Sequence, residues 1–255
     1  MTAAVLALWR REVLVFVRDR ARFVGVLAQP VLFWVLFGFG FQGAVSVPGS
    51  DASYLEYLLP GMIVLAVLFT AIYSTISVVE DRQSGVLQAA LVAPQPRLAI
   101  VLGVVLGGTT LALLQAVLIG LLAPFVGLRP GVGGTLVAVG AAGLVGATFT
   151  ALGFGMAWRL KTTRAFHAVM NVVLIPIWLL SGAFFPLSGA PDALRWVMLA
   201  NPVTHGVTLL RYGLEGLPAG VPGTTLGLLP SALVTVGGAV LAVVWAAATA
   251  RRPVY

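Results

Sequence analysis

The chain has 255 residues, of which 60% are hydrophobic and only 9% are charged, and its net charge is +7. Soluble domains are about 45–50% apolar and about 25% charged, so this composition excludes a water-facing globular protein and indicates a membrane protein. Spans of about 20 residues would occupy most of such a chain and leave loops too short for a second domain, so we expect one polytopic membrane domain over residues 1–255.

Residues 1–22 are predicted to form an amphipathic helix. Apolar side chains recur at helical spacing along one arc, whereas Arg11 and Arg18 lie on the opposite arc. Such a helix suits the cytoplasmic surface of the membrane. The basic face would serve a simple topogenic anchor as well as a helix that docks a partner protein, and the sequence leaves both interpretations open.

Six stretches without Asp, Glu, Lys or Arg are each long enough to cross about 30 Å of hydrocarbon as a helix. The first is too long to be the apolar core of a cleavable signal peptide. We therefore predict an all-α polytopic membrane protein with six transmembrane helices. Their predicted bounds are 23–45, 57–79, 98–126, 134–158, 166–187 and 226–250.

The connection after the second span, residues 80–97, is longer than a turn requires. Ser84 suits the N-cap of a short helix, Leu87 and Leu91 fall on one face of it, and Pro94 ends it. About ten helical residues would make an element roughly 15 Å long. Its apolar stripe either belongs to a solvated loop or is buried in another protein, and we favour the second interpretation.

The segment between the fifth and sixth spans, residues 188–225, contains two apolar stretches that are too short to cross a membrane. Residues 193–200 and 203–214 are therefore predicted to form short re-entrant or interfacial outer helices. Asn201 and Pro202 suit the N-cap and the first turn of the second helix.

Basic residues are divided unequally between the two sets of connections. Twelve of the fifteen fall on one set, and only Arg129, Arg195 and Arg211 fall on the other. Because positively charged flanks stay in the cytoplasm, we predict that both termini are cytoplasmic. The net charge is then a feature of the inner surface that attracts anionic membrane lipids, and it does not indicate binding to nucleic acid.

The chain lacks the residues that a catalytic, nucleotide-binding or metal site would need. No span carries an ionisable residue in its middle, which argues against coupling to an ion gradient. The only lysine, Lys161, is not preceded by glycine, so no phosphate-binding Gly-Lys motif can be written. His167 and His205 are expected near opposite faces, and cysteine is absent, so a metal site is not expected.

Polar and small residues within the apolar segments are interpreted mainly as contacts between helices. Gly103 and Gly107 form a Gly-x-x-x-Gly pair that predicts close packing, within one subunit or between two. Arg211 and Glu215 stand four residues apart and are predicted to pair, which reduces the penalty of burying the arginine. Candidate interhelical hydrogen-bonding groups include Gln29, Thr70, Tyr73, Ser74, Thr75, Gln115, Asn171 and Ser181.

Aromatic residues crowd the first span and the outer end of the fifth. Lipid-facing positions or an interfacial belt are their ordinary explanation, and a substrate wall is the alternative. A path lined by such residues and free of charge would suit lipophilic or amphipathic molecules. The candidate lining residues are Phe33, Trp34, Phe37, Tyr73, Asn171, Phe184 and Phe185.

Several short motifs are spread along the chain: Val17-Arg18-Asp19-Arg20, Gln29-Pro30, Tyr57-Leu58-Leu59-Pro60-Gly61, Glu80-Asp81-Arg82-Gln83-Ser84-Gly85, Ala93-Pro94, Phe185-Pro186-Leu187 and the run from Asn201-Pro202 to Arg211. Taken together, they resemble those of the type-2 ABC-transporter permeases, in particular the daunorubicin-resistance and lipooligosaccharide (nodulation) export permeases. The resemblance covers essentially the whole chain, and the run from Asn201-Pro202 to Arg211 is its most specific part; Val203 stands where the family more often has Leu or Ile.

This resemblance implies a non-catalytic permease subunit in the bacterial cytoplasmic membrane, which forms the path for a lipophilic or amphipathic substrate such as a drug or antibiotic. ATP and Mg²⁺ would bind a separate ATPase subunit, with no cofactor on this chain, and a second permease copy or paralogue would complete a dimer. Export of a lipid-linked saccharide or glycolipid is an alternative. A partner-free membrane scaffold or enzyme is an alternative from another class.

The resemblance also implies roles for individual residues. The N-terminal helix and the helix in 80–97 would contact the ATPase, and the short outer helices would close the path from above. The implied ATPase-coupling residues are Arg11, Arg18, Glu80, Asp81, Arg82, Gln83, Gly85, Leu87, Leu91 and Pro94. The implied outer-gate residues are Asn201, Pro202, His205 and Arg211.

Overall fold

The computed structural model describes residues 1–41, 53–92, 96–215 and 226–251, and every regular element within those ranges is helical. Predictions that concern residues 42–45, Pro94 and 216–225 lie outside the described residues. The elements are α1 Thr2–Arg18, α2 Arg20–Gly40, α3 Tyr54–Ser74, α4 Ile76–Gln83, α5 Val86–Val92, α6 Arg97–Gly120, α7 Val132–Ala157, α8 Thr163–Leu179, α9 Asp192–Ala200, α10 Pro202–Glu215 and α11 Leu228–Ala250, with 3₁₀ turns at Ala123–Val126 and Leu187–Gly189.

The prediction of an all-α membrane protein is confirmed, whereas the number of six spans stays a prediction. Within the described ranges, five helical segments are long and apolar enough to cross a membrane: α2, α3 with α4, α6, α7 and α11. The fifth predicted span, 166–187, overlaps the shorter helix α8, which begins at Thr163 and ends at Leu179. Beyond Leu179 the chain leaves the helix, and it turns at Gly182, which adopts a φ of +76°.

Helix α3 is the centre of the fold, because α2, α6, α7, α8 and α10 pack around it. It begins where the Ser53 side chain accepts a hydrogen bond from the backbone N–H of Glu56 at 3.2 Å. It is interrupted after Ser74, where the hydroxyls of Ser74 and Thr75 donate to the carbonyl oxygens of Ala71 and Ile72. Such bonds compete with the helical ladder and separate α3 from α4.

Helix α1 packs along α6 through the predicted Gly-x-x-x-Gly pair. A Cβ on Gly103 would lie 2.5 Å from the Cβ of Leu8, and a Cβ on Gly107 would lie 2.7 Å from the Cβ of Glu12. The pair therefore serves packing within this chain, where it brings an N-terminal helix against a spanning helix. The indole Nε1 of Trp9 also donates to the side chain of Thr110 at 3.0 Å.

The two short helices predicted at 193–200 and 203–214 are present, with bounds within one residue of the prediction, while their place on the outer side stays a prediction. Helix α10 is buried along nearly its whole length because it packs against α7, α11 and α3. Gly213 lies inside α10 and permits a close approach to α7, since a Cβ there would lie 2.6 Å from the backbone nitrogen of Ala138. Following the predicted orientation, we call the end with α4 and α5 the inner end and the end with α9 the outer end.

Candidate functional site

The predicted coupling residue Arg82 joins α4 to the end of α7. Its guanidinium donates to the carbonyl oxygens of Ala157, Trp158 and Leu160 at 2.8, 2.7 and 2.7 Å. These are C-terminal carbonyls that have no partner inside their own helix. Gln83 donates to the carbonyl oxygen of Lys161 at 3.1 Å. Both side chains thus hold the α7–α8 connection of their own chain.

A second connection ties α1 to α4. Both terminal nitrogens of Arg11 donate to the carboxylate of Asp81, and one of these bonds is 2.6 Å long. The hydrogen bond to Asp81 raises the pKa of Arg11. The neighbouring Glu12 is buried and accepts a hydrogen bond from the hydroxyl of Ser77 on α4 at 2.7 Å. The inner parts of α1 and α4 are therefore one polar junction.

Part of the predicted apolar stripe of α5 packs against other helices of its own chain. Leu87 is only 4% exposed and belongs to the core of this subunit, whereas Val86 and Val92 are 47% and 85% exposed. Gly85 makes the turn from α4 with a φ of +83°. The hydroxyl of Ser84 donates to the backbone carbonyl oxygen of Asp81. Ser84 therefore belongs to the end of α4 and does not act as the predicted N-cap of α5.

The remaining predicted coupling residues are placed as follows. Arg18 lies exposed in the last turn of α1, where its positive charge suits the negative end of the helix. Glu80 lies exposed on α4. Leu91 lies in α5, and Pro94 follows it outside the described residues.

A cavity of about 390 Å³ opens at the inner end between α2, α3, α4 and α8. The hydroxyl of Tyr73 in its wall donates to Oδ1 of Asn171 at 3.0 Å, and its ring stands 5.3 Å from that of His167. The wall combines apolar surface with amide, phenol, imidazole and carboxylate groups. The lining residues are Asp19, Gly25, Val26, Gln29, Phe69, Tyr73, Ile76, Glu80 and His167.

The predicted aromatic lining is divided between two places. Tyr73 and Asn171 meet at the inner cavity, whereas Phe37 and Phe184 belong to a closed aromatic cluster at the outer end, with ring centroids 5.0 Å apart. Phe184 is buried there, and its neighbour Phe185 is 52% exposed. Phe33 contacts the ring of Phe37 from the preceding turn, and Trp34 donates to the carbonyl oxygen of Leu55 at 2.9 Å.

The segment that follows α8, residues 180–186, lies against the outer end of α3. Tyr57 donates to the carbonyl oxygen of Gly182 at 2.7 Å, and Tyr54 donates to that of Phe184 at 3.0 Å. A Cβ on Gly61 would lie 2.7 Å from the Cβ of Ala183, so glycine permits this close approach. The segment therefore closes the outer end of α3 with backbone and aromatic groups.

Arg211 fixes α10 to the same closure. Its guanidinium carbon lies 3.7 Å from the centre of the Tyr57 ring, and one of its nitrogens donates to the carbonyl oxygen of Gly182 at 3.2 Å. The predicted pair with Glu215 is confirmed at 3.3 Å. A nearly buried arginine is thus surrounded by an aromatic face, a carbonyl and a carboxylate.

Asn201 joins the end of α8 to the start of α10. Its Nδ2 donates to the carbonyl oxygen of Ile177 at 2.6 Å, and its Oδ1 accepts a hydrogen bond from the backbone N–H of Val203 at 3.0 Å. The predicted N-cap is therefore confirmed, with Pro202 as the first residue of α10. His205 lies within hydrogen-bonding distance of the carbonyl oxygen of Leu199, at 3.2 Å.

Two features of the site were not predicted from the sequence. Arg97 donates to the carbonyl oxygens of Ala250 and Arg251 at 3.1 and 3.0 Å, so it caps α11. Its position at the start of a span was the only available signal, and that signal does not name a partner. The inner cavity was also missed, because Glu80 and His167 are far apart in the sequence and only the fold brings them together.

The described residues contain no group of three or more His, Asp and Glu side chains that could hold a metal ion.

Comparisons with known proteins agree with this architecture. The sequence profile of a family described as ABC-2 type transporter matches residues 3–214. Nodulation protein J of Rhizobium leguminosarum bv. viciae is 30% identical over 84% of this chain and 83% of its own length. A daunorubicin resistance ABC transporter permease protein of Streptomyces coeruleorubidus is 28% identical over 85% of this chain and 76% of its own length. Nodulation protein J of Rhizobium meliloti is 28% identical over 88% of this chain and 86% of its own length.

Proposed function

This chain belongs to the ABC-2 type transporter family, and we propose from that membership that it forms the path by which a lipophilic or amphipathic compound leaves the bacterial cytoplasm. Members of the family are multi-pass, non-catalytic permease subunits of the cell membrane, and an ATP-binding partner subunit is implied. In our proposal that partner binds ATP and Mg²⁺, and a second permease copy or paralogue completes the path.

The observation that carries the proposed substrate class is the inner cavity. Its walls offer apolar surface from Val26, Phe69 and Ile76 beside the polar groups of Gln29 and Tyr73. A compound with an apolar body and a polar edge makes favourable contacts with both kinds of surface. A strongly hydrophilic solute would make no favourable contact with the apolar wall. We assign this cavity to the inner part of the path, below the aromatic residues of α2.

The proposed coupling route begins at the exposed face of α5 and continues through α4. A displacement of α4 reaches α7 through Arg82 and reaches α1 through the Arg11–Asp81 pair. These bonds join charged groups to partners in their own chain, so the connected helices move together when the ATPase moves α5. Val86 and Val92 supply the apolar contact with the ATPase in this arrangement.

Replacing Val92 tests this assignment because its side chain is 85% exposed and contributes little to the fold of the subunit. A carboxylate placed in an apolar interface loses its hydration without gaining a partner, so we expect Val92→Asp to weaken co-purification of the ATPase about tenfold. ATP-driven export of a fluorescent lipophilic compound from proteoliposomes that contain both subunits should fall in parallel. Val92→Ile, which keeps the apolar surface, is the matched control.

The neighbouring Leu87→Asp variant distinguishes coupling from folding. Leu87 belongs to the core of this subunit, so this change is expected to lower the melting temperature of the purified chain, whereas Val92→Asp should leave it unchanged. Undiminished co-purification and export by the Val92→Asp variant would refute the assignment of α5. Uphill transport by the permease alone, without an ATPase, would refute the proposed function.

A further inference from the structure

A second cavity, of about 450 Å³, lies at the outer end and away from the proposed path. It is bounded by the outer halves of α6 and α7, by the connection between them, and by Ile63 of α3 with Leu210 and Leu214 of α10. Arg129 and Thr135 carry the only polar side chains among its lining residues, and the hydroxyl of Thr135 already donates to the carbonyl oxygen of Gly131. The wall is therefore hydrocarbon apart from one guanidinium.

The cavity exists because α6 and α7 touch near their middle and are separated above it. A Cβ on Gly146 would lie 3.1 Å from the Cβ of Ala112, which is the close contact between the two helices. Towards the outer end the facing positions include Ala116, Ala138 and Ala142, whose short side chains leave the space unfilled. Helix α10 fills part of it from one side.

The cavity opens towards the bilayer. Val117, Leu121 and Val139 line it and are 47%, 63% and 40% exposed on the outside of the helix bundle. Water does not fill an apolar space that faces hydrocarbon, because no polar wall would replace its hydrogen bonds. Lipid chains are the available occupants, since they meet this surface from the bilayer side.

Arg129 gives the opening a charge. Its side chain is exposed, and among the described residues it has no hydrogen-bond or ion-pair partner. A guanidinium beside an apolar cavity at a membrane surface complements a molecule with a phosphate above and hydrocarbon below. A glycerophospholipid has that construction, with its phosphodiester within one glycerol unit of its acyl chains.

We propose that this cavity holds one acyl chain of an anionic glycerophospholipid from the outer leaflet, with the lipid phosphate on Arg129. The lipid is a structural ligand that fills the gap between α6, α7 and α10. Because its walls share only α3 with those of the inner cavity, and at residues further out along that helix, its occupancy does not depend on the transported compound.

Native mass spectrometry of the purified full-length chain tests the proposal with two probes, palmitoyl-oleoyl phosphatidylglycerol and the matching phosphatidylcholine. The wild-type chain should retain phosphatidylglycerol in preference to phosphatidylcholine. Arg129→Gln should reduce that preference about fivefold, because one basic residue near the membrane surface contributes roughly that factor. Arg195→Gln removes the same charge at the outer end, outside the cavity, and should keep the preference.

A steric variant tests the hydrocarbon part separately. Val139→Trp places a large ring at the opening of the cavity, where the native side chain is already 40% exposed, and should reduce retention of both lipids. Equal retention by Arg129→Gln and the wild type, or equal losses in Arg129→Gln and Arg195→Gln, would overturn the assignment of the phosphate. Unchanged retention by Val139→Trp, or displacement of the lipid by a transported compound, would overturn the assignment of the cavity.

Discussion

At the scale of single residues, arginines satisfy the carbonyl groups at the ends of helices that are distant in the sequence. Arg82 bonds three carbonyls at the end of α7, and Arg97 bonds two at the end of α11. A planar guanidinium suits this task because its donors diverge from one rigid group. In our proposal, the coupling role of Arg82 would therefore depend on bonds within its own subunit.

Replacing Arg82 should reveal the strength of this connection. Arg82→Ala removes three charge-assisted hydrogen bonds, and we expect the free energy of unfolding to fall by about 2–4 kcal/mol. Arg82→Lys should recover only part of the loss, because an ammonium group cannot reach all three carbonyls in the same geometry. Denaturant titration of the purified chain in detergent measures both values.

The control for this prediction is Arg10→Ala, which removes an exposed arginine from α1. Its stability should stay within about 0.5 kcal/mol of the wild type. Equal stability of Arg82→Ala and Arg10→Ala would show that the α4–α7 connection contributes nothing measurable.

At the scale of elements, the sequence predicted where the helices lie better than it predicted which elements pack against one another. The boundary between α9 and α10 follows from a local signal, since Asn201 and Pro202 specify a helix start whatever packs around it. The early end of α8 could not be found in the same way, because residues 180–187 are as apolar as a span, and only the structure shows the turn at Gly182 and the bonds of this segment to α3. The burial of Leu87 likewise depends on long-range contacts that helical periodicity does not specify.

The same substitution should have opposite effects on two glycines of the spanning helices. Gly107→Ala places a Cβ 2.7 Å from the Cβ of Glu12, so α1 must move away from α6 and the protein should lose stability. Gly140→Ala meets no atom within 4 Å and should gain about 0.5–1 kcal/mol, because alanine favours a helix interior. Thermal unfolding compares the two variants with the wild type.

Protease sensitivity identifies the element that responds. Cleavage within α1 should become faster in Gly107→Ala and stay unchanged in Gly140→Ala. A stability gain in both variants, with α1 equally protected, would contradict the packing of α1 against α6.

At the scale of the whole molecule, the two ends differ in composition as well as in structure. The inner end contains the polar junction of α1 with α4 and the arginine caps of α7 and α11, whereas the outer end is closed mainly by aromatic rings and backbone carbonyls. The excess of basic residues at the inner end predicts that this end faces the cytoplasm. Sequence reasoning reached this prediction because the rule depends only on how charges are distributed.

Labelling of two introduced cysteines tests that orientation, and the native chain contributes no background because it has no cysteine. Ser188→Cys, at an exposed position of the outer end, should react in intact cells with a maleimide that cannot cross the membrane. Ser84→Cys, exposed at the inner end, should react only after the cells are permeabilised. The reverse pattern would invert the proposed direction of transport.

The bonds around Gly182 limit where a compound could be released. Its carbonyl oxygen accepts hydrogen bonds from both Tyr57 and Arg211 of the same chain, so lifting residues 180–186 would leave this carbonyl and one nitrogen of Arg211 without a partner in apolar surroundings. We therefore expect residues 180–186 to move together with α3 and α10. In the proposed pair of permeases, we therefore expect the exit to form along the seam between the two subunits, where neighbours can separate without unfolding either one.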